Sequence, residues 1–193
     1  MDKDQILLTS RIRLARNIKG YPYPGAMNPD QAKALREKIT DALHEHEDLW
    51  TLYDLKDGSL KNLYDLEENL ISAALLKNRD RGAYLLGKDH LSIMMMEEDH
   101  LRIQAMDKGF HLDEEYDTVA NLARFLEEKL PVSFDEELGY LTACPSNVGT
   151  GLRAGCMLHL PALDTLGMDK IERSITRMGF VLRGMRGLSL IHI

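Results

Sequence analysis

Leu91-Ser92-Ile93-Met94-Met95-Met96-Glu97-Glu98-Asp99-His100-Leu101-Arg102-Ile103-Gln104-Ala105-Met106 places two apolar runs on either side of four consecutive ionisable residues. Each run is too short for a helix, and a charged turn between two such runs suits antiparallel strands over 91–96 and 101–106. Upstream, Ala83–Leu86 follows Asp80-Arg81-Gly82 and adds another strand. Downstream, Gly139–Ala143, Cys156–Leu160 and Phe180–Arg183 read as strands as well. Near the N-terminus, Ile6-Leu7-Leu8 leads into Ser10-Arg11-Ile12-Arg13-Leu14-Ala15-Arg16, an alternating segment suited to extended backbone.

Helical spacing surrounds these strands. Asn28-Pro29 combines a capping residue with a proline at the first helical position. Ala32, Leu35, Ile39 and Leu43 then predict a helix over 29–47. Leu63, Leu66, Leu70 and Ala74 predict a second over 59–77, and Val119, Leu122, Phe125 and Leu126 a third over 114–130, ended by Pro131. A fourth is expected over 169–178. Helices outside a mostly antiparallel sheet make an α+β domain.

The 193 residues are 44% hydrophobic, enough for one domain with a core. A net charge of -7 argues against a general nucleic-acid binder. There is no run of 18 apolar residues, and the polar Met1-Asp2-Lys3-Asp4 does not open a signal peptide. The expectation is a cytoplasmic protein that meets neither nucleic acid nor membrane. Cys144 and Cys156 are too few for a disulfide framework and too isolated for a zinc site. No metal-ligating residue is assigned.

Two apparent motifs are set aside. Gly82-Ala83-Tyr84-Leu85-Leu86-Gly87-Lys88 matches most of a phosphate-binding loop, but its inner residues are bulky and strand-like, and Asp89 replaces the required hydroxyl. His44-Glu45-His46-Glu47-Asp48 lacks the spacing that puts metal ligands on one helix face.

Three segments place arginines beside special backbone. Arg11 and Arg13 lie on one side of an extended strand, so their guanidiniums can converge on one anion. Glu97–Arg102 packs four ionisable groups and an arginine between apolar strands. Cys144-Pro145-Ser146-Asn147-Val148-Gly149-Thr150-Gly151-Leu152-Arg153 is a turn able to aim backbone amides at a phosphate, with Arg153 behind it. Solvated arginine pairs, a surface acidic run and an ordinary strand connection are the plain alternatives for each.

In order and spacing, these segments resemble the ATP:guanidino phosphotransferases, the phosphagen kinase family. Its S-x-R-x-R, E-E-D-H-L-R-I, C-P-[ST]-N-x-G-T-x-x-R and R-G-x-R-G-E motifs are matched by Ser10–Arg13, Glu97–Ile103, Cys144–Arg153 and Arg183-Gly184-Met185-Arg186-Gly187. The resemblance implies the glutamine synthetase-like catalytic fold of that family. It implies ATP and Mg²⁺ as cofactors, with Arg11, Arg13, Arg102, Arg153 and Arg183 on the nucleotide phosphates. It assigns Glu98 as the carboxylate that orients the guanidinium and takes its proton. Cys144 would lie beside that guanidinium as a thiolate favoured by positive surroundings.

With S-R-I-R beginning at residue 10, the helical domain that precedes S-x-R-x-R in small-molecule phosphagen kinases is expected to be lacking, and the flanking texture is similar to bacterial protein-arginine kinases. The implied substrates are arginine side chains of proteins. The implied partners are a zinc-finger activator, a heat-shock repressor and a Clp-type protease, in protein quality control. A small-guanidine kinase and a non-catalytic module binding nucleotide or phosphoarginine remain open. Met96 departs from the family's Asn, with an altered substrate contact expected, and Gly155-Cys156 is an expected packing change. Leu188 stands where a glutamate is expected. The domain expectation is thus an incomplete catalytic domain over 1–187 with a non-matching tail over 188–193, and little activity from this chain alone.

Overall fold

The computed structural model describes residues 6–56, 58–88, 90–160 and 168–182. Its centre is a six-stranded antiparallel sheet in the order β2-β3-β4-β5-β1-β8. The strands are β1 (Leu7–Arg16), β2 (Thr51–Asp54), β3 (Ala83–Leu86), β4 (Ser92–Met95), β5 (Leu101–Lys108) and β8 (Leu152–Leu158). β6 (Phe134–Asp135) and β7 (Gly139–Tyr140) form a separate small hairpin. The paired strands at 91–96 and 101–106 are therefore present, and the fold is α+β. No helix among the described residues is long and apolar enough to cross a membrane.

One face of the sheet carries the main core. Ile12 and Leu14 of β1, Ile93 of β4 and Leu101 and Ile103 of β5 cluster there with residues of two helices. The first, α1 (Pro29–Ala42), contributes Ala32, Leu35 and Ile39. The second, α4 (Leu112–Lys129), contributes Val119, Ala123 and Leu126. Asn28 caps α1 as expected: its side chain accepts from Gln31 N–H at 2.8 Å, and Gln31 Oε1 accepts from Asn28 N–H at 3.1 Å. The helix stops at Ala42 rather than 47, and His44–Leu49 tightens into 3-10 turns. Its last turn holds no basic residue to complement the negative helix end.

The expected 59–77 helix is two helices, α2 (Leu60–Glu67) and α3 (Ala73–Lys77). Asn69 takes a left-handed φ of 58°, which no helix interior accepts, and Ser72 caps a new start through Leu75 N–H. The face α2 buries is only partly leucine: Leu66 packs against the second cluster. Leu63 is exposed, while Asn62 and Asp65 are buried around the hydroxyl of Tyr84, which donates to Asp65 Oδ2 at 2.7 Å. α3, Leu55, Ile71, Tyr84 and Met94 make a second apolar cluster.

Several strand expectations also differ from the structure. β7 ends at Tyr140 because Leu141 and Ala143 direct their N–H groups to Ser133 O and Asp99 Oδ1. β8 starts at Leu152, paired along β1, instead of at Cys156. β2 had no counterpart in the sequence reading. Phe180–Leu182 lie outside any strand. They follow α5 (Met168–Arg177), which Gly179 closes at φ 84° with Phe180 N–H bonded to Ile175 O. In the set-aside phosphate-loop match, Ala83–Leu86 are β3 and mostly buried.

Candidate functional site

The register of β1 builds the site. Ser10, Ile12 and Leu14 are buried toward the helices, so Arg11 and Arg13 project to the other face. Arg13 lies opposite Gln104 of β5 on one side and Arg153 of β8 on the other, and Arg102 lies opposite Ala15. Arg13, Arg102 and Arg153 thereby line one narrow cleft with Ala15, Asn147 and Gly151. Gly151 is required where it stands. At φ 66° it approaches so closely that a Cβ would lie 2.6 Å from the Ala15 carbonyl oxygen.

The cleft is electrostatically unbalanced. The Arg13 pKa is depressed to about 9, first by burial and then by Arg11, Arg102 and Arg153, with Glu97 only partly opposing. Arg11 is lowered too, by burial and then by Arg102. The buried Nε of Arg13 has no hydrogen-bond partner. Four guanidiniums held against mutual repulsion, one with an unused buried donor, suit a polyanion such as a polyphosphate, whose oxygens their planar forks can bind in pairs.

The Glu97–His100 turn divides its ionisable residues sharply. Glu97 is buried, pairs with Arg102 Nη1, and accepts from Ser72 Oγ at 2.5 Å and Glu98 N–H at 2.8 Å. Asp99 Oδ1 accepts from Asn17 Nδ2 at 2.6 Å and Ala143 N–H at 2.7 Å. His100 accepts from Ile18 N–H through Nδ1, and its Nε2 donates to Pro22 O, which sets it as the neutral Nε2–H tautomer. Burial accordingly lowers its pKa. Glu98 alone of the four is exposed.

Glu97, Asp99 and Asn17 were not assigned roles from sequence. The available signal was the run itself, because four ionisable groups between buried strands cannot all reach water. Met96 is fully buried at φ 58° and bonds its N–H to His100 O, so its departure from Asn bears on the turn and the core.

The Cys144 loop corrects one expectation. Its amides do not form a phosphate cradle: Asn147, Val148, Gly149 and Gly151 N–H bond to Cys144, Pro145, Tyr140 and Asn147 carbonyls, and Leu152 N–H to Thr150 Oγ1. The loop instead offers side chains. Cys144 Sγ lies 3.0 Å from Ser146 Oγ, which accepts from Arg153 Nη2 at 2.9 Å. Cys144 is thus linked to the arginine cluster through one hydroxyl. At Gly155-Cys156, Gly155 faces open space and Cys156 is exposed.

The family model described as ATP:guanido phosphotransferase, C-terminal catalytic domain, matches residues 31–189. The chain belongs to this family. A protein-arginine kinase of Clostridium acetobutylicum is 43% identical over 95% of this chain and 56% of its own length. One of Clostridium novyi is 44% identical over 95% of this chain and 55% of its own length. The chain therefore spans about half the length of the curated relatives it matches. Among solved structures, the duplicated taurocyamine kinase of Schistosoma mansoni with bound transition-state-analogue components superposes with a TM-score of 0.83 at 23% identity, covering 97% of this chain and 28% of that one. Lombricine kinase gives 0.79 at 24% identity, covering 97% and 56%. These likenesses show the shared fold.

Against the guanido phosphotransferase motifs, four of the expected phosphate-binding arginines share the sheet face, and Arg183 lies outside the described residues, as does Leu188. Glu98 and Cys144 do not line the arginine cleft. Asp99 connects their segments, adjoining Glu98 in the turn and holding the residue before Cys144.

Proposed function

We propose that this chain is the nucleotide-binding and phosphoryl-transfer portion of a protein-arginine kinase, which moves the γ-phosphoryl group of ATP onto arginine side chains of proteins. The observation that carries the reading is the arginine cleft, with Arg13 depressed to about 9 and its Nε unpartnered. The names of the relatives support the protein-linked substrate.

Arg11, Arg13, Arg102 and Arg153 hold the phosphates and spread the negative charge that develops on the transferring group. Mg²⁺, held through nucleotide oxygens and water, would supply neutralisation of phosphate charge. The incoming guanidinium has no lone pair to attack with until it loses a proton. Glu98, exposed on a turn fixed by Glu97 and by Asn78 Nδ2 bonds to the Met96 and Glu97 carbonyls, orients it and takes that proton. The N–P bond forms as the Pγ–O bond to ADP breaks. Cys144 stands beside the guanidinium. On this reading the product is phosphoarginine in cytoplasmic proteins, and a zinc-finger activator, a heat-shock repressor and a Clp-type protease are its partners.

The test joins this chain to the remaining part of the Clostridium acetobutylicum relative and supplies Mg·ATP with casein or free arginine. Acid-labile phosphate on casein is expected, and Glu98→Gln should abolish it while ATP still binds. Labelling of free arginine alone would point to a small-guanidine kinase, and an unchanged Glu98→Gln rate would remove the assigned role.

A further inference from the structure

Away from the arginine cleft, a cavity of about 440 Å³ opens between the start of α4, the end of β5 and the turn joining β3 to β4. Trp50, Leu91 and Ala105 supply its apolar wall; Asp107, Glu114 and Glu115 line its polar side. Lys88 and His111 are the basic lining residues, so carboxylates outnumber fixed cations there. The Trp50 ring is seated closely: a Cβ on Gly87 would stand 3.0 Å from its Cζ3.

Glu115 is the decisive residue. It is 4% exposed, and its Oε1 accepts both the Ser10 hydroxyl at 3.0 Å and the Asp107 N–H at 2.8 Å. That much ties α4 to β1 and β5. Its Oε2 serves no such purpose: it is buried and has no hydrogen-bond partner. Native proteins rarely leave a carboxylate oxygen in that condition, because its desolvation is uncompensated. Burial raises the Glu115 carboxyl above its ordinary range, against the lowering by Ser10 and Asp107. The positive end of α4 offsets only part of that cost, and Asp113 and Glu114 already occupy the same first turn.

The missing complement is a cation with N–H donors, an apolar stem and a flat face. A guanidinium meets all three: its fork bonds a carboxylate bidentately, its plane stacks on an indole, and an alkyl stem lies against Leu91 and Ala105. An ammonium lacks the plane and is more strongly hydrated. We propose that this cavity binds an alkylguanidinium, the group carried by an unmodified arginine side chain, at a place separate from the phosphate-binding arginines. Ala105 and Asp107 alternate along β5 with Arg102 and Gln104, so the cavity opens from the helix-covered side of the sheet. The proposal does not depend on the phosphotransferase reading.

The single tryptophan of the chain is Trp50, so its emission reports this cavity directly. The intact chain is titrated with N-acetyl-arginine amide, ethylguanidinium, n-butylammonium and 1-butanol. A saturable change is expected for both guanidinium probes, a weaker one for the ammonium and none for the alcohol. Tighter binding of the amide than of ethylguanidinium assigns the site to polypeptide arginine; equal binding assigns it to guanidino compounds generally. Glu115→Gln, which keeps the shape and the Oε1 acceptor, should weaken guanidinium binding about ten-fold or more. If circular dichroism shows that variant unfolded, the exposed Glu114→Gln decides, with a several-fold loss expected. No saturable change, equal response to the alcohol, or unaltered affinity in the folded carboxamide variant overturns the proposal.

Discussion

Two halves of one sheet face behave as opposites. Across a single row of facing residues, Tyr53, Tyr84 and Met94 are followed by Arg102 and Ala15. On the β3–β4 side the face is covered by α3 and Ile71, and Tyr84 and Met94 are buried. On the β5–β1–β8 side the same face carries Arg11, Arg13, Arg102 and Arg153, which repel one another. Identical backbone geometry therefore supports a dry core in one half and a cationic surface in the other. The first half supplies stability, and the second spends some of it to hold charge ready for an anion.

Moving the boundary should be most damaging. Met94→Arg places a guanidinium in the apolar half with no partner, and a loss of about 4 kcal/mol or more is expected in urea denaturation, given the cost of an unpaired buried charge. A loss below 1 kcal/mol would mean that the two halves are not distinct. Asp99→Ala comes next. It strips acceptors from Asn17 and Ala143 and frees the Cys144 loop, with an expected loss of about 2–4 kcal/mol and faster amide exchange over 143–151. Unchanged exchange in that segment would show that the loop is held by something else.

The smallest effect is a pH dependence. Burial holds His100 below its ordinary value, so the native state binds its proton less readily than the unfolded chain. Its contribution is fully present above about pH 6.5 and is lost as pH falls toward the depressed native value, by up to about 1.4 kcal/mol per pH unit. The midpoint of urea unfolding between pH 7.5 and 5.5 should fall, and His100→Gln should flatten that part of the profile. A flat wild-type profile would contradict the neutral, buried imidazole.

What could be read from sequence divides along similar lines. The strands over 91–96 and 101–106 and the capped α1 are local, set by apolar runs and by Asn28-Pro29, and they were legible. The 59–77 helix was misread because leucine spacing looked continuous, whereas Asn69 and Ser72 break it. Burial of Asn62 and Asp65 could not be foreseen without Tyr84, a partner supplied by β3. In the site, Arg11, Arg13, Arg102 and Arg153 were found as residues through motif resemblance. Their convergence depends on the β1–β8 register, which no local pattern encodes. Asp99 and Glu97 were missed because their acceptors face inward, toward Asn17, Ala143 and Ser72, which are remote in sequence.

The most direct test of the central claim is one substitution read two ways. Arg13→Met removes the most perturbed guanidinium and keeps its length and apolar stem. Titration calorimetry with Mg·ATP should show affinity lost by about ten-fold or more, as expected for a charge-assisted phosphate contact. Urea denaturation of the same variant without nucleotide should show a gain of about 1–3 kcal/mol, since a desolvated, repelled charge has gone. Weaker nucleotide binding together with a more stable fold is the predicted result. Unchanged ATP affinity, or a variant less stable than the parent, would contradict the account.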